Sequence, residues 1–169
     1  MNILVMGIGN LLLQDEGAGV RVIEALENKY VMPAGVELLD GGTSGIELLY
    51  YIEGRDVLIL VDVVRNGGNS GTLYRFEGEE VPALFQKKIS PHQLGISDLL
   101  ATAKLIDKMP EKVVLFGIEP KCIDTGLELT AEVTSSIPEI VEQIADEIRS
   151  LGLQLEIRKS GFFEGNCYI

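Results

Sequence analysis

The sequence predicts a three-layer α/β/α fold around a mostly parallel, twisted sheet of about five strands. Three uninterrupted apolar runs, at residues 3–6, 57–61 and 113–118, indicate strands that are covered on both faces. Apolar residues at helical spacing, such as Val20 and Ile23, lie between these runs. Strands that alternate with helices in this way favour a parallel sheet with helices on both of its faces.

Turn residues mark the boundaries of the predicted elements. The segment from Asp40 to Gly42 ends the second strand, and a loop rich in Gly and Asn precedes an alternating edge strand. The last helix contains Pro138, and the pattern from Ser136 to Glu139 is typical of a capping box, so we expect a kink or a restart there. The predicted strands cover residues 3–6, 36–39, 57–61, 72–76, 113–118 and 153–157, and the predicted helices cover residues 20–30, 44–52, 94–109 and 131–151.

The length and the charge of the chain limit its organisation and its partners. Its 169 residues fit one domain, which we place at residues 1–152, followed by a tail at residues 153–169 that forms a short strand and is then flexible. The net charge of −12, from 26 acidic and 14 basic residues, argues against nucleic-acid binding because phosphates would be repelled.

The sequence also indicates a cellular location. No apolar run approaches the roughly 20 residues of a membrane helix, and the first residues lack the basic region of a signal peptide. Cys122 and Cys167 form no CxxC pair, which favours a reducing compartment. We therefore expect a cytoplasmic protein that does not bind membranes. We also expect it to be a monomer.

The loops that follow the parallel strands are the predicted site. In open α/β sheets, ligands bind beyond the carboxyl ends of the strands, where the strand order reverses. If the first three strands adopt the order 2-1-3, Glu16 after the first strand and Asp62 after the third flank that point. His92, the single histidine of the chain, precedes a helix in a loop that is a candidate for the same edge.

Glu16, Asp62 and His92 together suit a divalent ion such as nickel or zinc, and three protein ligands leave coordination positions open. Each residue also has a structural interpretation. Glu16 fits a helix N-terminus, Asp62 fits an acceptor for loop amides, and His92 fits a helix start after a proline. Residue types alone therefore leave the metal site open.

Two other patterns leave further interpretations open. The neighbouring acids Asp15 and Glu16 raise the hypothesis of an aspartic-type dyad with Asp62, in which two carboxyls share a proton. Gly7 and Gly9 also match the first two glycines of a nucleotide-binding turn, but Leu12 occupies the position of the third glycine of that motif. A tight turn with close backbone approach is the favoured interpretation of the two glycines.

Four separate segments, in matching order and spacing, make the chain similar to the [NiFe]-hydrogenase maturation endopeptidases. The likeness extends over residues 2–152. The matching segments are residues 7–20 (GIGNLLLQDEGAGV), 39–43 (LDGGT), 61–62 (VD) and 89–95 (ISPHQLG).

The resemblance implies an enzyme that removes a short C-terminal extension from the hydrogenase large-subunit precursor after nickel insertion. It implies that Glu16, Asp62 and His92 contact nickel, for which cadmium or zinc can substitute in vitro, and that Asp40 belongs to the site. Asp40, Asp62 and Glu16 are then the catalytic carboxylates. In one version the metal polarises the scissile carbonyl or activates water. In the version that we favour, nickel belongs to the substrate, the three ligands recognise it, and Asp40 or Asp62 activates the water.

Two functions of other classes remain as alternatives. A Rossmann-like nucleotide-binding module would bind NAD or ATP through the loop after the first strand. A non-catalytic nickel chaperone would bind the metal and leave the precursor uncut. The single histidine argues against the chaperone, because such carriers often have histidine-rich tracts.

Overall fold

The computed structural model describes residues 1–86 and 91–158, with the side chains of residues 1–85 and 95–158. Short 3₁₀ helices at Gln14–Gly17 and Ile46–Leu48 precede the first two α-helices. The elements along the chain are β1 (Ile3–Ile8), α1 (Ala18–Lys29), β2 (Tyr30–Val31), β3 (Val36–Gly42), α2 (Leu49–Ile52), β4 (Val57–Val63), β5 (Leu73–Glu77), α3 (Glu80–Gln86), α4 (Pro91–Leu105), β6 (Lys112–Ile118), α5 (Ala131–Ser150) and β7 (Glu156–Ile157).

The central sheet has five strands in the order β3-β1-β4-β6-β5. β1 pairs in parallel with β3 and β4, and β4 pairs in parallel with β6, whereas β5 is antiparallel to β6. Every residue of β1 and β4 is buried, as expected for strands between two layers of helices. The predicted three-layer fold with a mostly parallel sheet is therefore confirmed, and so is the 2-1-3 order, because β1 lies between β3 and β4.

A hydrophobic core lies on each face of the sheet. Val5 and the strand residues that share its face pack against α1 and α5. Met6 and its equivalents, on the other face, pack against α2, α3 and α4. This division follows from the two-residue repeat of a strand. The helices contribute one apolar face each, such as Ile140, Ile144 and Ile148 of α5, and no described helix has the length and apolarity to cross a membrane.

Helix α1 packs so closely on the sheet that two of its contacts leave no room for a side chain. A Cβ atom on Gly19, in the first turn, would lie 2.2 Å from the carbonyl oxygen of Ile8 and 2.3 Å from that of Val61. A Cβ atom on Gly7 of β1 would lie 2.3 Å from the carbonyl oxygen of Gly19. Because backbone meets backbone here, the loop before α1 is held over the point where β1 and β4 end.

Two helical features differ from the predictions. Helix α3 was not predicted, although Val81 and Phe85 in it have helical spacing and are buried. Helix α5 continues through Pro138, so the predicted restart and capping box are wrong. Ser136 Oγ instead donates a hydrogen bond to the carbonyl oxygen of Gly71 (2.7 Å). Packing of the apolar face of α5 on the sheet outweighs the one backbone hydrogen bond that proline removes.

The chain after α5 forms a small two-stranded ribbon. β7 pairs antiparallel with β2, within the segment where a short strand was predicted. Leu153 and Leu155 pack against the core between the sheet and the α1–α5 layer. Residues 159–169, which include Cys167 and the part of the tail that was expected to be flexible, lie outside the described residues.

We expect that Gly19→Ala lowers the free energy of unfolding by about 3 kcal/mol or more, because the added methyl group collides with two carbonyl oxygens that cannot move independently. Urea denaturation measures the loss. The matched control is Gly152→Ala, where a Cβ atom meets no neighbour and only the φ of +87° opposes the change. That control should lose about 1–2 kcal/mol. Equal losses in the two variants would contradict the proposed packing of α1.

Candidate functional site

The strand order reverses between β1 and β4, and the carboxyl ends of these two strands define the switch point of the fold. After β1 the chain turns through α1 to β3 on one side, and it then crosses β1 through α2 to reach β4 on the other side. Parallel α/β sheets bind ligands in the crevice that such a reversal leaves open. Polar side chains that converge at the switch point are therefore candidates for the functional site.

Glu16 lies at the switch point, in the 3₁₀ helix Gln14–Gly17. Its residue surface is only 6% exposed, and the 3₁₀ helix packs against β4. The loop can close this tightly because Gly9 adopts a φ of +139°, and a Cβ atom there would lie 1.8 Å from the carbonyl oxygen of Glu16. The predicted role of the loop glycines, close backbone approach in a tight turn, matches this geometry.

Asp62 lies in β4, on the neighbouring strand, and is fully buried. Its Oδ1 accepts a hydrogen bond from the backbone N–H of Val63 (2.7 Å). Strand alternation places Asp62 on the face of Leu60, which packs toward α2, α3 and α4. The fold thus brings two buried carboxylates, Glu16 and Asp62, to the ends of two adjacent strands.

Asp40 occupies a different position. It is exposed at the end of the edge strand β3, and its Oδ1 accepts a hydrogen bond from the backbone N–H of Gly42 (2.9 Å). Asp40 is level with Gly7 of β1, so that it lies two strand spacings, about 10 Å, from the end of β4. Because Leu38 packs toward α1 and α5, alternation places Asp40 on that face, opposite to Asp62.

His92 falls in the first turn of α4, and its side chain lies outside the described residues. The start of α4 is held near the loop after β3, because a Cβ atom on Gly95 would lie 3.0 Å from the Cα of Gly45. Among the described side chains, no group of three His, Cys, Asp or Glu residues is placed to hold a metal ion. The predicted set of Glu16, Asp62 and His92 therefore stays a prediction.

Asp15 has a structural role, which argues against a dyad between Asp15 and Asp62. It is fully buried, and its carboxylate accepts hydrogen bonds from the backbone N–H groups of Lys121 (2.9 Å), Cys122 (3.0 Å) and Thr130 (2.7 Å), and from the Thr130 hydroxyl. Thr130 is the N-cap residue of α5. Asp15 thus ties the loop of the site to the start of the last helix, and backbone donors occupy the oxygens that a proton-sharing pair with Asp62 would need.

Glu119, at the end of β6, is a buried acid that the sequence pattern did not reveal. Its Oε2 accepts hydrogen bonds from the backbone N–H groups of Asn66 (2.8 Å) and Gly68 (3.3 Å) and from the hydroxyl of Tyr74 (2.8 Å). Burial by itself raises the pKa of Glu119, but these donors more than offset burial and hold the pKa below its ordinary value. Glu119 therefore stays ionised and orders the loop that follows β4.

Gln14, directly before the two acids, is held in a strained conformation. Its φ of +49° lies in the left-handed region, which residues other than glycine seldom adopt. Its N–H donates to the carbonyl oxygen of Gly126 (2.9 Å), and its buried side-chain oxygen has no hydrogen-bond partner among the described residues. No sequence signal marked this residue, because glutamine in a polar loop is unremarkable by composition.

Comparison with known proteins decides the family. A family model described as HycI, hydrogenase maturation protease, matches residues 20–147. The Hydrogenase 2 maturation protease of Escherichia coli (strain K12) is 44% identical over 155 residues, which cover 91% of this chain and 94% of that protein. The chain belongs to the hydrogenase maturation protease family.

Solved structures in this family share the fold. The hydrogenase maturating endopeptidase HybD from E. coli superposes with a TM-score of 0.91 at 42% identity, over 95% of this chain and 100% of that chain. The [NiFe] hydrogenase maturation protease HybD from Thermococcus kodakarensis gives a TM-score of 0.69 at 28% identity, over 88% of this chain and 99% of that chain. The resemblance seen in the sequence is confirmed, and the chain is a hydrolase of the maturation protease family.

We expect that Asp15→Asn lowers the free energy of unfolding by about 3 kcal/mol. Both carboxylate oxygens accept from backbone N–H groups, so the new NH₂ group faces a donor in either orientation. Urea denaturation at neutral pH measures the effect. Asp124→Asn, at an exposed position on the loop between β6 and α5, is the control and should change stability by about 0.5 kcal/mol or less. Similar losses in both variants would refute the structural role of Asp15.

The lowered pKa of Glu119 predicts how stability depends on pH. Glu119→Gln should lower the free energy of unfolding at neutral pH by about 1.5–3 kcal/mol, because a charged acceptor is lost. The difference in the free energy of unfolding between wild type and variant has its full size at pH values above 4.5, the ordinary pKa of a glutamate. It shrinks as the pH falls through the lowered pKa of Glu119 in the folded state. Urea denaturation of both proteins at several pH values tests this, with the exposed Glu128→Gln as control. A difference that grew toward low pH would contradict the assignment.

Proposed function

We propose that this chain is an endopeptidase that removes the C-terminal extension from the large-subunit precursor of a [NiFe] hydrogenase after nickel has been inserted. Membership of the maturation protease family supplies the reaction class, hydrolysis of a peptide bond. The observation that carries the proposal is the pair of buried carboxylates, Glu16 and Asp62, at the ends of hydrogen-bonded neighbouring strands.

Burial explains why this pair suits the recognition of a metal ion. A buried carboxylate attracts a cation more strongly than an exposed one, because less water screens the two charges from each other. Nickel carried by the precursor would supply positive charge, and carboxylate and imidazole are donors that it accepts. We assign Glu16, Asp62 and His92 to contact this nickel as part of the substrate. Cadmium or zinc would fit the same donors in vitro.

A carboxylate that activates water completes the proposed reaction. It accepts a proton from a water molecule while the water oxygen attacks the scissile carbonyl carbon, and the amine that leaves takes up the proton. Asp40 and Asp62 are the two candidates. Asp40 is exposed to water, and its backbone lies two strand spacings, about 10 Å, from the end of β4. Asp62, in contrast, is engaged by nickel in the proposed complex. This division favours Asp40 as the base.

The decisive experiment compares a nickel-loaded precursor with a nickel-free precursor, with mass spectrometry of the C-terminus. We expect the loaded precursor to lose its extension and the nickel-free precursor to stay intact. His92→Ala and Glu16→Gln should slow cleavage of the loaded precursor about 100-fold, because each removes a proposed contact with nickel. Glu27→Gln, an exposed acid on α1, is the matched control and should cleave at the wild-type rate.

Binding and cleavage of the nickel-loaded precursor, measured separately, distinguish nickel recognition from water activation. Asp40→Asn should bind the loaded precursor as tightly as wild type and cleave it slowly, whereas Asp62→Asn should weaken binding itself. If His92→Ala kept the wild-type rate and nickel dependence, the proposed set of contacts would be wrong.

The two alternatives make different predictions in this experiment. A nickel chaperone would bind the metal and leave every precursor uncut. A nucleotide-binding module would be stabilised by NAD or ATP, rather than by nickel, in a thermal-shift titration. The structure explains Gly7 and Gly9 by their contacts with Gly19 and Glu16, so that these glycines give no independent support to a nucleotide site.

A further inference from the structure

Strand β3 lies at one edge of the central sheet. Its one strand neighbour is β1, and no strand of the described chain lies on its outer side. A free sheet edge presents unpaired N–H and C=O groups, and it is a template for pairing with another extended chain. What β3 offers to such a chain depends on which of its backbone groups point outward.

The register with β1 determines these groups. In a parallel pair of strands, the backbone N–H and C=O groups of one residue point toward the neighbouring strand. They bond there to the residues directly before and after the register partner of that residue. Ile3 is paired with Val36, and its N–H donates to the carbonyl oxygen of Gly35 (2.7 Å). Alternation then directs the backbone groups of Gly35, Glu37 and Leu39 toward β1, and those of Val36, Leu38 and Asp40 outward.

The outward groups of Leu38 and Asp40 form what we call the β3 edge. The N–H of Val36 is already used, because it donates to the carbonyl oxygen of Pro33 (3.1 Å). No such backbone partner occurs for Leu38 or Asp40 among the described residues outside the sheet ladder. The β3 edge therefore offers two N–H and two C=O groups at alternate residues, which is the pattern with which an added strand forms hydrogen bonds.

Two tyrosine side chains lie beside the first half of β3. Tyr50 is 81% exposed and Tyr51 38% exposed, and the two rings are in edge-to-face contact. Together with Glu37 and Arg55 they line a shallow cleft of about 550 Å³ beside the first half of β3. Aromatic side chains next to a free edge provide the contacts by which side chains of an added strand are held.

The β3 edge is continuous with the candidate site. β3 ends at Asp40–Gly42, and the carbonyl oxygen of Gly42 accepts a hydrogen bond from the N–H of Gly9 (2.9 Å), in the loop that leads to Glu16. A peptide added along β3 would therefore reach Asp40 at one end. Main-chain pairing also holds a peptide extended, the form in which a single bond can be presented to a carboxylate.

We propose that the β3 edge binds the segment of the precursor next to the scissile bond as an added strand, an inference that rests on the proposed peptidase function. The main-chain groups of Leu38 and Asp40 position the segment, and Tyr50 and Tyr51 contact its side chains. The occupant is an extended polypeptide, because the contacts are main-chain groups at strand spacing. Nickel recognition at the switch point is separate from this contact.

Hydrogen exchange resolved to single amides tests the proposal on the wild-type protein. Nickel-loaded precursor is kept in excess so that the enzyme stays occupied during labelling, and samples are taken for mass spectrometry of the precursor C-terminus. The amides of Leu38 and Asp40 should exchange about tenfold more slowly than in the free enzyme. The amides of Glu37 and Leu39 already bond to β1 and are the internal control, whose exchange should not change.

A proline substitution provides a second, kinetic test. Leu38→Pro removes an outward N–H and also replaces a partly buried side chain that packs on the core. We expect it to raise KM about tenfold and to leave kcat within about twofold. Ala131→Pro is the matched control, because Ala131 is the first residue of α5 and proline fits there. That control should leave both constants unchanged. Circular dichroism verifies the fold, and the exchange test stands if Leu38→Pro does not fold.

Three results would overturn the inference. If the precursor were cleaved while the amides of Leu38 and Asp40 kept their free exchange rates, the β3 edge would not be the docking site although the proposed function held. If these amides were protected in the free enzyme in proportion to enzyme concentration, the occupant would be a second copy of the chain. If no precursor were cut, the proposed function itself would fail, and the inference with it.

Discussion

The contact between the first turn of α1 and the ends of β1 and β4 is the constraint on which the site depends. Gly19 faces the carbonyl oxygens of Ile8 and Val61 at distances that leave no space for a Cβ atom. Glu16 lies three residues before Gly19, and Asp62 directly follows Val61. The backbone packing that positions the helix therefore also brings the two acids to the switch point.

Three buried acids of the described chain outside the switch point stabilise the fold through identified partners. Asp15 and Glu119 accept hydrogen bonds from several backbone N–H groups and hold loops in place. Glu147 is paired with Arg75 and Lys112 between α5 and the sheet. These acids are compensated by the fold itself, as buried charges must be.

The proposed peptidase combines two kinds of recognition in one small domain. Buried carboxylates respond to the charge and the ligand preferences of a metal ion, whereas a sheet edge responds to main-chain groups in an extended segment. The two surfaces meet through the hydrogen bond between Gly42 and Gly9. A division of this kind would let the metal control when cleavage happens, while the edge controls which bond is presented.

The sequence by itself determined the strands of the central sheet, the three-layer fold class and the positions of the loops that follow the parallel strands. Hydrophobicity and periodicity are properties of neighbouring residues, so apolar runs and glycine turns were sufficient to place β1, β3 and β4. The order of these strands entered only as the common 2-1-3 topology, which the structure bears out. The four matching segments were also sufficient to indicate the family, because their order and spacing are properties of the chain alone. Helix α3 had the same kind of local signal in Val81 and Phe85, and its omission was an error of interpretation.

Only the tertiary structure decided what individual polar residues do. Asp15 and Glu16 are adjacent in sequence, yet one ties the site loop to α5 and the other lies at the switch point. Asp40 and Asp62 both follow apolar strand residues, yet the alternation of side chains along β3 and β4 places them on opposite faces of the sheet. α5 continues through Pro138 because packing supports it. Each outcome depends on partners far away in the chain, and a local pattern cannot contain that information.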